Sequence, residues 1–260
     1  MEVLIFNNET AASEYAAQEF SKRIQHKATT VLGLATGSTP LKMYRELSLL
    51  HQSEGLDFSK VNTFNLDEYI GLSGDHPCSY KHFMNENFFN HINISESNVH
   101  LPDGMTKDVP KTCQEYEEAI KKVGGIDIQV LGIGSDGHIG FNEPTSSLSS
   151  RTRIKTLTKK TCEDNARFFN SIDEVPRHCI TMGIATIMEA RRIVLLAFGE
   201  AKAPAVSKMV EGPLSAMVPA SILQMHPNVV VVLDRSAASK LSHHDYYYRV
   251  ATNKPNWQRL

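Results

Sequence analysis

The stretch Leu131–Ser147, LGIGSDGHIGFNEPTSS, decides how the rest of this chain is interpreted. The apolar segment 126–131 that leads into it predicts a buried strand, and the glycines that follow end regular structure. Glycine allows the backbone to turn sharply and a ligand to approach closely. The polar side chains of this glycine-rich loop are Asp136, His138, Asn142 and Glu143.

An imidazole between two carboxylates is the feature of this loop that points to chemistry. Histidine exchanges protons near neutral pH, and a neighbouring carboxylate fixes its tautomer and balances its charge. A polar loop with a capping aspartate and one solvated histidine is the competing interpretation, and for a lone histidine it would be preferred. Because glycines, an imidazole and two carboxylates together follow a strand, we expect an active-site edge here.

Composition bounds the class of protein. A chain of 260 residues, 41% hydrophobic and 22% charged, is typical of one large globular domain or two small ones. The net charge of -2 gives no general attraction to nucleic acid or to an anionic membrane, so any anion site must be local. The four scattered cysteines form no CxxC pair and no zinc-ligand spacing, which predicts a reduced, cytoplasmic compartment and no metal. We also expect neither a signal peptide nor a membrane span.

Apolar strands alternate with helical segments along the chain, and several strands are apolar on both faces. This pattern predicts an α/β fold with a mostly parallel sheet and helices on both faces. Thr10 is expected to cap a helix over 11–24. There is no flexible linker, repeat or low-complexity tract, so we predict a single domain over 1–260 with a partly irregular tail at 235–260.

Four polar clusters follow predicted strands, at 36–39, 67–68, 136–143 and 199–202. Ligands of open α/β sheets bind beyond the carboxyl ends of the strands, so these clusters are expected to meet at one site. The turn at 36–39 precedes a helix that begins near Pro40, and free N–H groups at a helix start can hold a phosphate. A plain capped turn is the alternative, since neither a Walker motif nor GxGxxG is present.

Three further charged residues are candidates with competing interpretations. Asp67 can act as a base if it reaches a substrate proton, or it can cap a turn. Lys202 opens a helix and can reach the same anion as the 36–39 turn. Arg167 is either a surface residue or an anchor, and its helix does not decide between them.

A basic strand is predicted at 151–157, where Arg151, Arg153 and Lys155 alternate and therefore share one face. Like charges on one face repel unless an anion lies among them. A solvated edge strand guarded by basic residues is the alternative, and the pattern alone favours it.

Five motifs together resemble the glucosamine-6-phosphate deaminase family, and the resemblance extends from about residue 3 to 234. They are LGLATGSTP, FNLDEYIGL, GIGSDGHIGFNEP, SSRTRIKTLT and NARFF. The resemblance implies a modified doubly wound, Rossmann-like fold. It also implies conversion of glucosamine 6-phosphate and water to fructose 6-phosphate and ammonia, in amino-sugar catabolism, without a metal or an organic cofactor.

The same resemblance assigns roles to residues. Asp67 would carry the proton for enolisation, and Asp136, His138 and Glu143 would form the ring-opening group. The family's substrate-phosphate anchors match Thr36, Gly37, Ser38, Thr39, Arg167 and Lys202.

Some family members are hexamers with an allosteric site for N-acetylglucosamine 6-phosphate at a subunit interface. The motif positions of that site match Ser146, Arg153, Lys155 and Thr156. A tyrosine from the C-terminal region completes the site in those members, and Tyr248 is the best match within the run 246–248. The tail is the part of the chain that departs most from the family.

Two other functions compete with this one. Another sugar-phosphate isomerase or a lactonase of the same fold would differ in releasing no ammonia. A sugar-phosphate-sensing effector domain would need neither Asp67 nor the histidine group, and the chain has no spare length for a helix-turn-helix segment.

Overall fold

The computed structural model describes residues 1–255, so the last five residues of the predicted tail lie outside the described part. The central sheet has seven strands in the order β1-β10-β9-β6-β2-β3-β5, and every neighbouring pair is parallel. Strands β4, β8 and β7 form a second sheet in that order, with antiparallel pairing. Helices cover both faces of the central sheet, which is the modified doubly wound fold that the sequence predicts.

The strands are short and mostly buried. Their bounds are β1 Glu2–Phe6, β2 Val31–Leu34, β3 Asn62–Asn65, β4 Asp67–Tyr69, β5 Val99–His100, β6 Ile128–Leu131, β7 Arg153–Thr156, β8 His178–Thr181, β9 Ile193–Ala197 and β10 Val229–Asp234. Every residue of β2, β6 and β9 is buried, because these strands lie in the middle of a sheet that is covered on both faces.

Eight α-helices connect or flank these strands within the described residues. Their bounds are α1 Glu9–His26, α2 Leu41–Glu54, α3 Tyr80–Asn87, α4 Val109–Lys122, α5 Lys159–Asn165, α6 Ile184–Met188, α7 Ala203–Glu211 and α8 His244–Thr252. Short 3-10 turns flank several of them, including Ala166–Phe168 after α5 and Glu200–Lys202 before α7.

The predicted start of α1 was two residues late. Asn8, not Thr10, is the N-cap, because the Asn8 side-chain oxygen accepts a hydrogen bond from the backbone N–H of Ala11 at 2.9 Å. The tail also holds more regular structure than predicted, since α8 packs against β1. Within the described residues, no helix combines the length and apolar character needed to cross a bilayer.

The third predicted strand is two strands in the structure. β3 ends at Asn65, and β4 begins at Asp67 and leaves the central sheet to pair with β8, so that Asp67 lies opposite Thr181. This change of sheet turns Asp67 toward the carboxyl edge of the parallel strands.

The sheet order explains why distant segments meet. Strands β9, β6, β2 and β3 are consecutive neighbours in the central sheet, and each is followed by one of the four polar clusters of the sequence. The carboxyl ends of parallel neighbours lie side by side, so the clusters converge on one edge.

Candidate active site

A cavity of about 350 Å³ opens at this edge of the sheet. All four polar clusters contribute to its wall. The sequence-predicted residues that line it are Thr36, Gly37, Ser38, Thr39, Asp67, His138, Arg167 and Lys202. Asp136 and Glu143 are not among the residues that line it, but both contact Nδ1 of His138, which does.

Asp67 is a buried carboxyl group at the first position of β4. Burial raises the pKa of Asp67 to about 8; the charge of Glu68 adds to the rise and His138 opposes it. Gly140 has a positive φ of 55°, and a Cβ there would lie 3.4 Å from Oδ2 of Asp67 and 3.0 Å from the Thr181 hydroxyl. The glycine-rich loop therefore passes directly over a carboxyl group that can exchange a proton near neutral pH.

His138 is held from one side by two carboxylates. Its Nδ1 lies 2.8 Å from Oδ1 of Asp136 and 3.5 Å from Oε2 of Glu143, as ion-pair contacts without hydrogen-bond alignment. Burial lowers the pKa of His138, but the pairing with Asp136 and Glu143 outweighs burial and raises this pKa to about 9. Nδ1 faces the carboxylates, so Nε2 is the nitrogen that remains for a ligand.

The two carboxylates are themselves anchored. Oδ1 of Asp136 accepts the backbone N–H of His138 at 3.1 Å, and although burial raises the pKa of Asp136, His138 brings it down to about 2. Oε1 of Glu143 accepts the hydroxyl of Thr161 at 2.5 Å and the N–H of Thr158 at 3.3 Å. Burial also opposes the net lowering of the Glu143 pKa, which His138 and Thr161 produce. Both groups are therefore ionised at neutral pH and orient the imidazole.

Two glycines of the loop are required by close packing. A Cβ at Gly134 would lie 2.3 Å from Cε1 of His138, so the imidazole ring lies flat against this glycine. Gly137 has a φ of 92°, and a Cβ there would lie 2.6 Å from the side chain of Val218. A side chain at either position would displace the turn that presents His138.

The other end of the cavity is cationic. Nζ of Lys202 donates to the carbonyl of Ile133 at 2.7 Å, and burial lowers the pKa of Lys202. Arg167 lies in the 3-10 turn after α5, with its guanidinium 4.7 Å from the centre of the Phe168 ring. Both cations line the cavity together with the turn at 36–39 that precedes α2. This combination suits a phosphate dianion.

An aromatic wall is the part of the cavity that sequence reasoning missed. Its members are Tyr69, Tyr80, Phe141 and Phe169, whose rings pack against one another. The hydroxyl of Tyr80 donates to that of Tyr69 at 3.3 Å. Tyrosine and phenylalanine are common in any hydrophobic core, so their presence in the sequence does not by itself indicate a site. The only signal in the sequence was their proximity to the polar motifs.

The predicted allosteric residues lie away from this cavity. Ser146 and Arg153 are neighbours of the glycine-rich loop: Nη1 of Arg153 donates to Oδ1 of Asn142 at 2.9 Å. The Ser146 hydroxyl and Nη2 of Arg153 are buried without a hydrogen-bond partner. Lys155 and Thr156 lie further along β7, at the edge of the second sheet.

Arg151 does not belong to the predicted basic face, and Tyr248 lies on a different element from the other predicted allosteric residues. Arg151 precedes β7 and forms ion pairs with Glu117 and Glu189. Its charge is therefore already balanced, and it is not available to bind an anion together with Arg153 and Lys155. Tyr248 is on α8, which packs against β1, an edge strand of the other sheet.

The donor atoms of Asp136, His138 and Glu143 all lie within 4.8 Å of one another, a spacing also found at metal sites. The Nδ1 atom is already in contact with both carboxylates, and this arrangement raises the proton affinity of the ring. We therefore interpret the three residues as an acid–base group.

Fold and site together define an acid–base enzyme with an anion pocket. The sequence profile described as glucosamine-6-phosphate isomerases/6-phosphogluconolactonase matches residues 7–232, and the chain belongs to this family. The chain is 52% identical over 260 residues to the glucosamine-6-phosphate deaminase of Arthrobacter sp. (strain FB24), covering 100% of both chains. It is 53% identical over 261 residues to that of Shewanella woodyi, covering 100% of this chain and 99% of the relative.

Solved structures agree with the fold. A monomeric glucosamine-6-phosphate deaminase superposes with a TM-score of 0.91 at 48% identity, covering 92% of this chain and 100% of the other. A 6-phosphogluconolactonase from Trypanosoma cruzi superposes with a TM-score of 0.73 at 21% identity over 93% of this chain and 97% of the other, a likeness in fold alone.

Proposed function

We infer that the protein is a glucosamine-6-phosphate deaminase, which converts glucosamine 6-phosphate and water to fructose 6-phosphate and ammonia. One structural observation supports this conclusion independently of the similarity to known deaminases. A buried carboxyl group, Asp67, and a carboxylate-held imidazole, His138, share one cavity with a cationic anion pocket. Sugar-phosphate isomerisation needs these three features at once: two proton carriers and a grip on the phosphate.

Ring opening is the first step assigned to this site. The imidazolium of His138 gives a proton from Nε2 to the ring oxygen of the sugar, and the neutral imidazole then accepts the proton of the anomeric hydroxyl. Asp136 and Glu143 keep the ring in position and balance its charge through both transfers. The result is the open-chain aldehyde, with no net change in the protonation of the enzyme.

Isomerisation and loss of ammonia follow. Ionised Asp67 takes the proton from C2, which gives an enolamine, and returns a proton to C1. The resulting imine at C2 reacts with water and releases ammonia, leaving the ketone of fructose 6-phosphate. Each placed acid or base typically contributes on the order of 10²–10⁴ in rate.

Phosphate binding positions these carbons. We assign the phosphate to Thr36, Gly37, Ser38 and Thr39, with Arg167 and Lys202 as its counter-charges. Charge-assisted hydrogen bonds are worth roughly 1.5–3 kcal/mol each, so a few of them hold the sugar against Asp67 and His138. The reaction assigned here uses neither a metal nor an organic cofactor.

Regulation and assembly are a separate proposal. We propose that N-acetylglucosamine 6-phosphate binds at Ser146, Arg153, Lys155 and Thr156 and activates the enzyme during N-acetylglucosamine utilisation. Two buried polar atoms without partners, the Ser146 hydroxyl and Nη2 of Arg153, support an anion or sugar site there. Tyr248 lies on an element packed against the other sheet, so it would have to come from a second copy, in keeping with a homohexamer.

Two further observations bear on this proposal. The similar deaminase that is monomeric shows that the fold itself does not require an oligomer. A cytoplasmic location is proposed with the enzyme, and the four cysteines, all unpaired within the described residues, support a reducing compartment.

A coupled assay of ammonia release from glucosamine 6-phosphate tests the proposed function. We expect turnover in the presence of a chelator, with fructose 6-phosphate and ammonia formed in equal amounts. Hydrolysis of 6-phosphogluconolactone without ammonia release from the amino sugar would instead place the chain among the lactonases. Binding of sugar phosphates without turnover would favour a sensor.

A further inference from the structure

Strand β4 separates two cavities, and consecutive residues of the strand face them. Asp67 lines the active-site cavity, whereas Glu68 lines a second cavity of about 620 Å³ on the other side. Successive side chains of a strand point to opposite faces, which explains this division. Glu68 is nevertheless almost entirely buried, with 3% of its surface exposed.

The Glu68 carboxylate joins β4 to the start of α3. Oε1 accepts the backbone N–H of Tyr69 at 2.8 Å and that of Tyr80 at 3.0 Å, and Oε2 accepts that of Lys81 at 2.9 Å. Tyr80 and Lys81 are the first two residues of α3, whose N–H groups have no partner within the helix. The first turn of α3 also brings Tyr80 into the active-site wall.

Three backbone N–H donors point at the Glu68 carboxyl group, and they are satisfied best by its ionised form. Burial raises the pKa of Glu68, and these donors oppose the rise without cancelling it. The other titratable groups whose charge interacts with Asp67 are His138 on the catalytic loop, Tyr69 on β4, Tyr80 on α3, Tyr116 on α4 and Cys179 on β8.

Most of these groups carry no charge in the working pH range. Burial raises the pKa of each tyrosine, and that of Cys179, well above its ordinary value, so all four stay neutral. Glu68 and His138 therefore remain as the charges that act on Asp67. Lys81, Glu96 and Asp103 line the cavity on the Glu68 side of the strand.

We propose that Glu68 is a positioning residue for the reaction: it fastens β4 to the first turn of α3 and keeps a buried negative charge beside Asp67. This inference rests on the proposed function of Asp67 as the proton carrier. A negative neighbour makes the Asp67 carboxylate a stronger base toward the weakly acidic hydrogen at C2, at the cost of a smaller ionised fraction at neutral pH.

The variant Glu68→Gln tests this role because it keeps the shape and removes the charge. We expect the acid limb of the kcat/KM profile to move to lower pH by about one unit, since two unit charges separated by a buried strand interact on that scale. The same variant should lose turnover above pH 8, where Asp67 is ionised in both proteins but is a weaker base in the variant. A loss of hydrogen bonds alone would lower the rate without moving the limb.

Glu96→Gln is the matched control. Glu96 lines the same cavity but is exposed and lies in the 3-10 turn Glu96–Asn98, away from β4. Its variant should keep the acid limb of the parent. Coincident limbs in the parent and Glu68→Gln, or an equal shift in Glu96→Gln, would overturn the inference.

If Glu68→Gln does not fold, carboxyl ¹³C NMR titration of the intact enzyme tests directly whether Glu68 is charged when Asp67 titrates. We expect one glutamate, identified as Glu68 by assignment, to be ionised at the pH where Asp67 titrates; a protonated Glu68 there would overturn the inference. This measurement does not need turnover. A parent that releases no ammonia would therefore refute the proposed function alone, whereas a neutral Glu68 would refute this inference alone.

Discussion

At the scale of one residue, the buried carboxyl group of Asp67 lowers the folding stability of the protein when it ionises. In the folded protein its pKa is raised to about 8 from an ordinary value of 3.8, chiefly by burial. A raised pKa means that the fold is more stable with the carboxyl protonated. The unfolded chain loses this proton near pH 4 and the folded chain near pH 8, so stability is lost as pH rises through this window.

The variant Asp67→Asn should therefore be more stable than the parent at neutral pH, even though we expect it to lose most of its activity. The two proteins should unfold alike near pH 3 to 4, and the advantage of the variant should grow up to about pH 8 and then level off. We expect it to reach at least about 1 kcal/mol, because one pKa unit corresponds to about 1.4 kcal/mol. Urea unfolding at a series of pH values measures it, and a constant difference across the series would refute the assignment.

His138 governs the other limb of the pH–rate profile, because its pKa is raised to about 9 and the proposed mechanism uses its protonated form as the acid. The kcat/KM profile should fall on the acid side near pH 8, as Asp67 is protonated, and on the alkaline side near pH 9, as His138 loses its proton. His138→Gln should remove the alkaline limb and slow the closed-ring substrate by about 10²-fold or more. An unchanged rate would exclude His138 from ring opening.

Sequence reasoning works at this scale where a residue type is chemically unusual for its place. Asp67 and His138 are polar groups at the ends of apolar strands, and their motifs resembled a known family. Glu68 was predicted only as a member of the polar cluster at 67–68, without a role of its own, and Tyr80 carried no signal, because a tyrosine at a helix start is an ordinary pattern. Their burial depends on β4 leaving the central sheet, which the sequence does not reveal.

At the scale of elements, α5 connects the cover of the cavity to the acid–base group. Its cap residue Thr158 and its buried Thr161 both bond Oε1 of Glu143, while Asp164 and Asn165 line the cavity. The position of α5 is therefore coupled to the orientation of His138.

Thr161→Val tests this connection because it removes one hydroxyl and keeps the shape of the side chain. We expect kcat/KM to fall about tenfold, since a hydrogen bond to a charged group is worth about 1.5–3 kcal/mol and part of this is recovered by Thr158. Thr112→Val is the control, because that hydroxyl pairs with the hydroxyl of Thr106 and neither residue lines the cavity. Equal effects in steady-state kinetics of the two variants would show that α5 does not orient the site.

Elements were predicted well where periodicity was strong and less well where pairing decided the outcome. The buried strands β2, β6 and β9 were found from their apolar runs. The separate strand β4 was missed because a one-residue break between Asn65 and Asp67 changes the sheet without changing the hydrophobic pattern. Helix α8 was missed because its tyrosines and charges resemble an irregular tail, although one face packs against β1.

The whole molecule brings the site together through the order of its strands. The segments that meet in the cavity lie up to 166 positions apart, from Thr36 to Lys202, yet they follow neighbouring strands. The general rule for parallel sheets predicted this convergence, whereas the second sheet and the cavity behind β4 could not be inferred from that rule. Single-domain organisation over 1–260 stays a prediction.

Activation is the prediction that belongs to the assembled molecule. Lys155→Ala should blunt activation by N-acetylglucosamine 6-phosphate and leave the maximal rate unchanged, because β7 lies outside the catalytic cavity. Ammonia-release curves with and without the effector, together with light scattering, measure activation and subunit number on one sample. A monomer whose rate does not respond to the effector would refute both the allosteric site and the hexamer.

The rate of ammonia release by Asp67→Asn, at saturating glucosamine 6-phosphate and pH 8, tests the account most directly. We expect a loss of at least about 10²-fold relative to the parent, with sugar-phosphate binding retained at the Lys202 end of the cavity. Turnover close to that of the parent would mean that the proton at C2 leaves by another route, and the mechanism would have to be rebuilt without this carboxyl group.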